Sequence, residues 1–210
     1  MKKAKATAFY VVRHGQTFAN ANKIINGQSV PDSLNQTGKQ QALLAAQYFD
    51  SIPVAAIYAS PLDRTRETAA IIQQHIHGPA VIDDQRLAEI AMGSLEGKSW
   101  AHFDSEFKKH IDAGNDRFDL TPFRGESQTQ FRGRLYDFFF KTHEKYPGQH
   151  VIAVTHGGII QLLVTDFTKL VRDFRCVDTD HVHANCDIFK WEFGAEEEKI
   201  IRFYQAGDKD

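Results

Sequence analysis

Short apolar runs separated by longer amphipathic stretches alternate along most of this chain. The first run, residues 6–12 (Ala-Thr-Ala-Phe-Tyr-Val-Val), is rich in β-branched and aromatic side chains and bounded by charge. That pattern predicts a buried strand carrying Arg13 and His14 to its C-terminal end. The polar, Asn-rich segment 18–35, with Gly27 and Pro31 as breakers, reads as a short ordered loop. Thr37 is the expected N-cap of a helix running to about Asp50, with Leu43, Leu44, Gln47, Tyr48 and neighbouring alanines on its periodic face. Residues 54–59 predict a second strand. Ser60-Pro61 opens the next helix, with Pro61 suited to a first turn and Ala69, Ala70, Ile71 and Ile72 as its core face, ending near Gly78-Pro79.

The alternation continues with a short strand at 80–83 and a glycine-punctuated loop holding Leu87-Ala88-Glu89-Ile90, Gly93 and Gly97. Residues 99–110 read as a helix and 113–125 as a loop. This region, with Trp100, Phe103, Phe107, Phe118 and Phe123, lacks strand character, and we read residues 97–125 as a small cap inserted in the main fold. A long amphipathic helix begins at Ser127 and stops before Pro147-Gly148. A buried strand at 151–155 ends in His156-Gly157-Gly158, a helix follows over 159–170, and strands at 186–193 and 199–204, joined by the acidic turn Glu196-Glu197-Glu198, close the chain. No internal repeat interrupts this order. The expected fold is α/β: a three-layer α/β/α sandwich whose mostly parallel sheet is made mixed by the last hairpin, in one domain spanning 1–210.

Composition adds mainly exclusions. With 42% hydrophobic and 25% charged residues, the chain has the makeup of a globular protein with one well-formed core. Its 25 basic against 27 acidic residues give a net charge of -2, which offers no general attraction for nucleic acid or an anionic membrane, so any anion site must be local. Cys176 and Cys186 are too few for a disulfide framework or a zinc site, which fits a reducing cytoplasm. The basic start Met1-Lys2-Lys3-Ala4-Lys5 is followed by an apolar run that stops at Arg13-His14 with no small-residue cleavage site, so secretion is not expected. No stretch approaches the roughly 20 apolar residues of a membrane span. A cytoplasmic location is the expectation.

In open α/β sheets, ligands bind beyond the carboxyl ends of the strands. Arg13 and His14 end the first predicted strand, Arg64 lies one turn into the helix after the second, Glu89 follows the third, and His156 ends the fourth. Two arginines, two histidines and a carboxylate on one sheet edge suit phosphoryl transfer, where a protein chiefly positions and neutralises a charged group. Arginine forks match phosphate oxygens, and the amides of Gly157 and Gly158 at a helix start add donors. A neutral imidazole can attack phosphorus, and nearby cations favour that neutral form. We assign attack to His14, oxyanion stabilisation to His156, and proton transfer to and from the leaving and entering oxygens to Glu89. Asn20, Gly27, Gln28 and Gly157 are the candidate substrate contacts.

At these residues the chain resembles the histidine phosphatase superfamily, also called phosphoglycerate-mutase-like. Arg13-His14-Gly15-Gln16-Thr17 with Asn20 is similar to its first motif and Ser60-Pro61-Leu62-Asp63-Arg64-Thr65-Arg66-Glu67-Thr68-Ala69 to its second. Leu87-Ala88-Glu89, Gly125-Glu126-Ser127 and Thr155-His156-Gly157-Gly158 follow in family order over most of the chain. The resemblance implies a phosphohistidine on His14, a phosphate pocket of Arg13, Arg64 and His156, Glu89 as acid and base, and neither metal nor cofactor. Mutases of the family carry a longer, more basic insertion than the short, phenylalanine-rich segment 97–125. A phosphatase acting on a small phosphorylated metabolite is therefore the expectation.

Three other readings compete. One is a cofactor-dependent phosphoglycerate mutase. Another is a phosphoprotein-binding module with vestigial catalysis that docks through the aromatic cap. The third is a metal-dependent hydrolase, because His181 and His183 point the same way in an extended segment and could join His14 and His156 as ligands. Arg13 and Arg64 oppose that last reading, since fixed cations repel a divalent ion. Arg66 and Glu67 are expected to form surface ion pairs, Arg132 to be an exposed helix charge, and Arg134 either that or a brace for the site. The C-terminal strands offer edges through which two copies could pair as a homodimer.

Overall fold

The computed structural model describes residues 5–116, 118–170, 184–194 and 200–204. Its centre is β1 (Thr7–Arg13), an inner strand of a six-stranded sheet. The other strands are β2 (Val54–Ala59), β3 (Val81–Asp83), β4 (His150–Thr155), β5 (Ile188–Phe193) and β6 (Ile200–Tyr204), in the order β3-β2-β4-β1-β5-β6. The first four of that order run parallel, and β1 pairs with β4 so that Arg13 lies opposite Thr155. β5 runs antiparallel to β1, and β6 antiparallel to β5. The sheet is mixed, as expected.

Both faces of the inner strands are buried, which explains their near-continuous apolar runs. Because successive strand side chains point to opposite faces, Phe9 and Val11 of β1 join one core while Tyr10 and Val12 join the other. The same division holds for Val151 and Ala153 against Ile152 and Val154 in β4. On the first face, α5 (Gln128–Lys145) contributes Phe131, Leu135, Phe138 and Phe139, and α6 (Gly157–Leu170) contributes Ile159, Ile160 and Leu163. On the second, α2 (Gln36–Gln47) contributes Ala42, Ala45 and Ala46, and α3 (Asp63–Ile76) contributes Ala69 and Ile72. The result is helix on sheet on helix. A one-turn helix, α1 (Phe18–Ala21), lies in the segment read as loop, closed by a capping box between Thr17 and Asn20. The region 97–125 holds α4 (Trp100–Asp112) and a 3-10 turn at Thr121–Phe123.

Several local expectations need correction. Asn35, not Thr37, caps α2, because its side-chain oxygen accepts from the Gly38 amide. Leu43 and Leu44 are 49% and 51% exposed, since α2 turns its alanines and Gly38 inward. That choice permits close approach: a Cβ on Gly38 would collide with the Gln16 carbonyl oxygen. Pro61 precedes α3 rather than sitting in its first turn. Cys186 is not in the strand; it adopts φ 63° just before β5. His181, His183, Cys176 and Glu196-Glu197-Glu198 lie outside the described residues.

Candidate active site

Arg13 ends β1 with its backbone held on both sides: its amide donates to Asp187 O at 3.1 Å and its carbonyl accepts from Cys186 N at 3.1 Å. The next amide, His14 N, donates across the sheet to Thr155 O at 3.0 Å. Asn185 Nδ2 then donates to His14 O at 2.9 Å and to Asn20 Oδ1 at 3.2 Å, tying the first strand's exit to the approach of β5. Gly15 N donates to Thr68 Oγ1 on α3 at 3.0 Å. His14 is thus fixed by β1, β4, α3 and the segment before β5.

The imidazole of His14 has a defined tautomer. Its Nδ1 lies 2.8 Å from Gly15 O, which can only accept, so Nδ1 carries the proton and Nε2 carries the lone pair of the neutral ring. Burial, followed by Arg64 and Arg13, holds the His14 pKa well below the ordinary histidine value, against the weaker opposing pull of the Gly15 hydrogen bond. His156 packs beside it with ring centroids 5.3 Å apart at 62°. Its Nε2 is 2.8 Å from Ser60 Oγ, and its buried Nδ1 meets no hydrogen-bonding partner among the described residues. Burial, then Arg64, His14 and Arg13, depress its pKa as well.

Arg64 is almost wholly buried in the first turn of α3 and donates one terminal nitrogen to Gly27 O at 2.7 Å, while its Nε has no partner among the described residues. Glu89 is buried after a 3-10 turn. Its Oε1 accepts from its neighbour Ile90 N at 2.9 Å, and its Oε2 from Gly158 N at the start of α6 at 3.2 Å. Burial raises the Glu89 pKa, and the two amides together with Arg64 and Arg13 pull it back only in part. The approach is close enough that a Cβ on Gly158 would collide with Glu89 Oε1, whereas one on Gly157 would meet Arg13 Nε at an ordinary 3.6 Å.

A cavity of about 310 Å³ opens here, near the lower end of roughly 300–1,000 Å³ for small-molecule sites. Arg13, His14, Asn20, Gly27, Arg64, Glu89, Gly157 and Gly158 line it, together with an apolar group that includes Met92, Trp100, Phe103, Phe107, Phe118 and Leu120. Two expected site residues stand apart from it. His156 packs against the His14 ring without itself being in the lining. Gln28 is likewise absent from the lining, its side-chain nitrogen donating to Glu89 O at 2.6 Å. Of the cap aromatics, Phe123 turns away and packs on His110 at 5.5 Å.

Two carboxylates and an arginine stiffen the loops. Arg134 on α5 donates to Arg86 O at 2.6 Å, Ala88 O at 2.7 Å and Glu89 O at 3.0 Å, and its guanidinium pairs with Glu126 at 2.7 Å. It is the brace, not a surface charge. Glu96 accepts from Gln28 N at 3.2 Å, Ser29 N at 2.7 Å and Met92 N at 2.8 Å, joining the loop after α1 to the loop after Glu89. Burial works to raise the Glu96 pKa, but a hydrogen bond from the Ser29 side chain and those from the three amides outweigh it and hold the carboxyl below its ordinary value. Ser60, Thr68, Glu96 and Asn185 have no individual role in the sequence reading, whereas the Gly158 amide, expected there as a donor, is met donating to Glu89. Of these, only Ser60 and Thr68, inside the second motif, carried a signal that could have marked them. Arg66, by contrast, forms the expected surface pair, reaching Asp83 at 2.6 Å.

Among the described residues, no group of three or more His, Cys, Asp and Glu side chains is placed to hold a metal ion, and no helix is long and apolar enough to cross a membrane. The chain is 34% identical over 170 residues, 79% of its length and 71% of the relative's, to a metal-independent phosphoserine phosphatase of Arabidopsis thaliana. It is 34% identical over 165 residues, 77% of its length and 74% of the relative's, to a probable phosphoglycerate mutase of Cronobacter sakazakii. A phosphoglycerate mutase from Bacillus anthracis shares its fold with a TM-score of 0.80 at 19% identity, covering 97% of this chain and 95% of that one. The family model of the histidine phosphatase superfamily (branch 1) matches residues 9–205, and the chain belongs to that superfamily.

Proposed function

We propose that the protein is a metal-independent phosphomonoester hydrolase that works through a phosphohistidine on Nε2 of His14, on a small phosphorylated metabolite. The observation that carries this reading is the His14 ring itself: buried between two arginines, held neutral, and oriented by Gly15 O so that the lone pair is on Nε2. In the first step Nε2 attacks phosphorus, an N–P bond forms, the P–O ester bond breaks, and protonated Glu89 gives its proton to the departing alcohol oxygen. In the second step the Glu89 carboxylate takes a proton from water, whose oxygen attacks phosphorus as the N–P bond breaks. Inorganic phosphate leaves, and Glu89 is protonated again. The raised pKa of Glu89 suits the first duty.

Arg13 and Arg64 would neutralise the phosphoryl oxygens as charge develops on them. His156 takes part through a ring nitrogen with no protein partner among the described residues: with Ser60 Oγ donating to Nε2, Nδ1–H is left to donate toward the transferring group. The metal-independent phosphatase among the relatives supports hydrolysis. The mutase reading is supported by another relative's name. Incubation with radiolabelled 4-nitrophenyl phosphate and quenching in base should trap an acid-labile label on the wild-type protein and none on His14→Ala; a label persisting in that variant would sink the assignment. Release of free phosphate from a phosphoester without a bisphosphate primer distinguishes a hydrolase from a mutase.

A further inference from the structure

The phosphoryl chemistry leaves the alcohol half of the substrate unspecified, and the remainder of the cavity lining bears on it. The ionisable lining residues, Arg13, His14, Arg64 and Glu89, all come from the strand-end cluster. Beyond them the described lining is Met92, Trp100, Phe103, Phe107, Phe118 and Leu120, with Ile24, Ile25 and Ile90. Its polar members are the neutral side chains Asn20, Asn26 and Gln161, and the Asn26 amide nitrogen is already engaged by Asp32 Oδ2 at 2.9 Å.

The aromatic surface is built before any ligand arrives. Phe103 and Phe107 lie one turn apart on α4 and stack with centroids 4.7 Å apart at 16°, and Trp100 packs edge-on against Phe103 at 5.2 Å. Phe107 is backed by His110 at 5.8 Å. Trp100, 42% exposed, stands at the rim. Resting on the hydrolase reading above, we propose that the substrate is a monophosphate ester of an uncharged, mainly apolar alcohol, its ring or chain seated against Phe103, Phe107 and Phe118. A carboxylate or ammonium on that half would shed water against hydrocarbon with no opposite charge among the described lining residues, whereas a ring would bury apolar area on a preorganised surface.

The test compares the intact protein on esters of primary alcohols, so that leaving-group chemistry is similar throughout: 3-phenylpropyl phosphate, phosphoserine, 3-phosphoglycerate and phosphocholine. Phosphocholine is paired with its neutral isostere, 3,3-dimethylbutyl phosphate, because an aromatic surface can also attract a quaternary ammonium. The expected result is a kcat/KM for 3-phenylpropyl phosphate at least about 100-fold above those of phosphoserine and 3-phosphoglycerate, on the scale of one buried ring. The neutral isostere should likewise exceed phosphocholine. Phe107→Ala should shrink the ratio of 3-phenylpropyl to methyl phosphate turnover at least tenfold. Should that variant fold poorly, wild-type inhibition gives the same reading: 3-phenylpropylphosphonate should inhibit at concentrations at least tenfold below methylphosphonate. Equal or better turnover of the charged esters would overturn the proposal while leaving the hydrolase intact; no turnover of any ester and no acid-labile label would remove both.

Discussion

Two pKa shifts of opposite sign set the working pH of the proposed reaction. His14 must be neutral to attack, and its depressed pKa keeps it so well below the usual histidine range, while Glu89 must be protonated to serve the leaving alcohol, and its pKa is raised. As pH rises through the Glu89 value the acid is lost, so kcat/KM for alkyl phosphates should be highest on the acidic side and decline toward alkaline pH. Glu89→Gln should remove that alkaline limb and slow alkyl esters by about 10²–10⁴. It should slow 4-nitrophenyl phosphate much less, since nitrophenolate leaves without a proton; pH–rate profiles of the two substrates check this. Cys186 is the contrasting residue. Burial pushes its thiol far above the usual range, so it packs beneath the site as an inert hydrophobe.

The junction of β4 and α6 brings backbone against the proposed acid, and two glycines there have different tolerances. Gly158→Ala should displace the Glu89 carboxylate and cost at least tenfold more kcat than Gly157→Ala, which meets Arg13 at van der Waals distance. Steady-state kinetics of both variants test it. On α5, Arg134→Lys keeps the charge but loses the fork that reaches three carbonyls and Glu126. It should cost about 2 kcal/mol or more in denaturant unfolding and lower kcat, because the turn carrying Glu89 then loses the fork that binds three of its carbonyls and keeps Gln28, Thr155 Oγ1 and the amides as its anchors. Elements of this kind differ in how far sequence reveals them. Buried strands and the strand-end residues Arg13, His14 and His156 were readable, because apolar runs stop abruptly at reactive side chains, and so was Glu89, which stood out as a carboxylate inside the short apolar segment Leu87-Ala88-Glu89-Ile90. The orientation of α2 was not, since alanines and a glycine packing backbone to backbone leave no hydrophobic stripe and Leu43 and Leu44 suggest the wrong face. Gln28 reads as a substrate contact and Arg134 as a helix charge or a brace, and only the fold shows that both bind the carbonyl of Glu89. Glu96 and Asn185 tie together segments distant in sequence, 67 and 171 positions away for Ser29 and His14, for which no spacing exists to be read.

At the scale of the molecule, burying two histidines and a carboxyl in one sheet edge couples the site to global stability. His14 and His156 have folded pKa values below their unfolded value of about 6.5, so the unfolded chain binds more protons there as pH falls, and their contribution is lost on acidification from that point downward. Glu89, with its raised pKa, has the opposite sign and offsets part of the loss at lower pH. The midpoint of thermal unfolding should therefore fall between pH 7.5 and pH 5.5, and fall less in His156→Gln; calorimetry at the two pH values reads the difference. The sheet order has a temporal consequence as well. β1 precedes the other strands along the chain, yet its exit is locked by Asn185, Asp187 and Cys186, and Asn185 meets His14 across 171 positions of chain. Contacts of that span form late and slowly. A growing chain would thus carry the proposed nucleophile without the geometry to use it until the segment before β5 has been made and has docked.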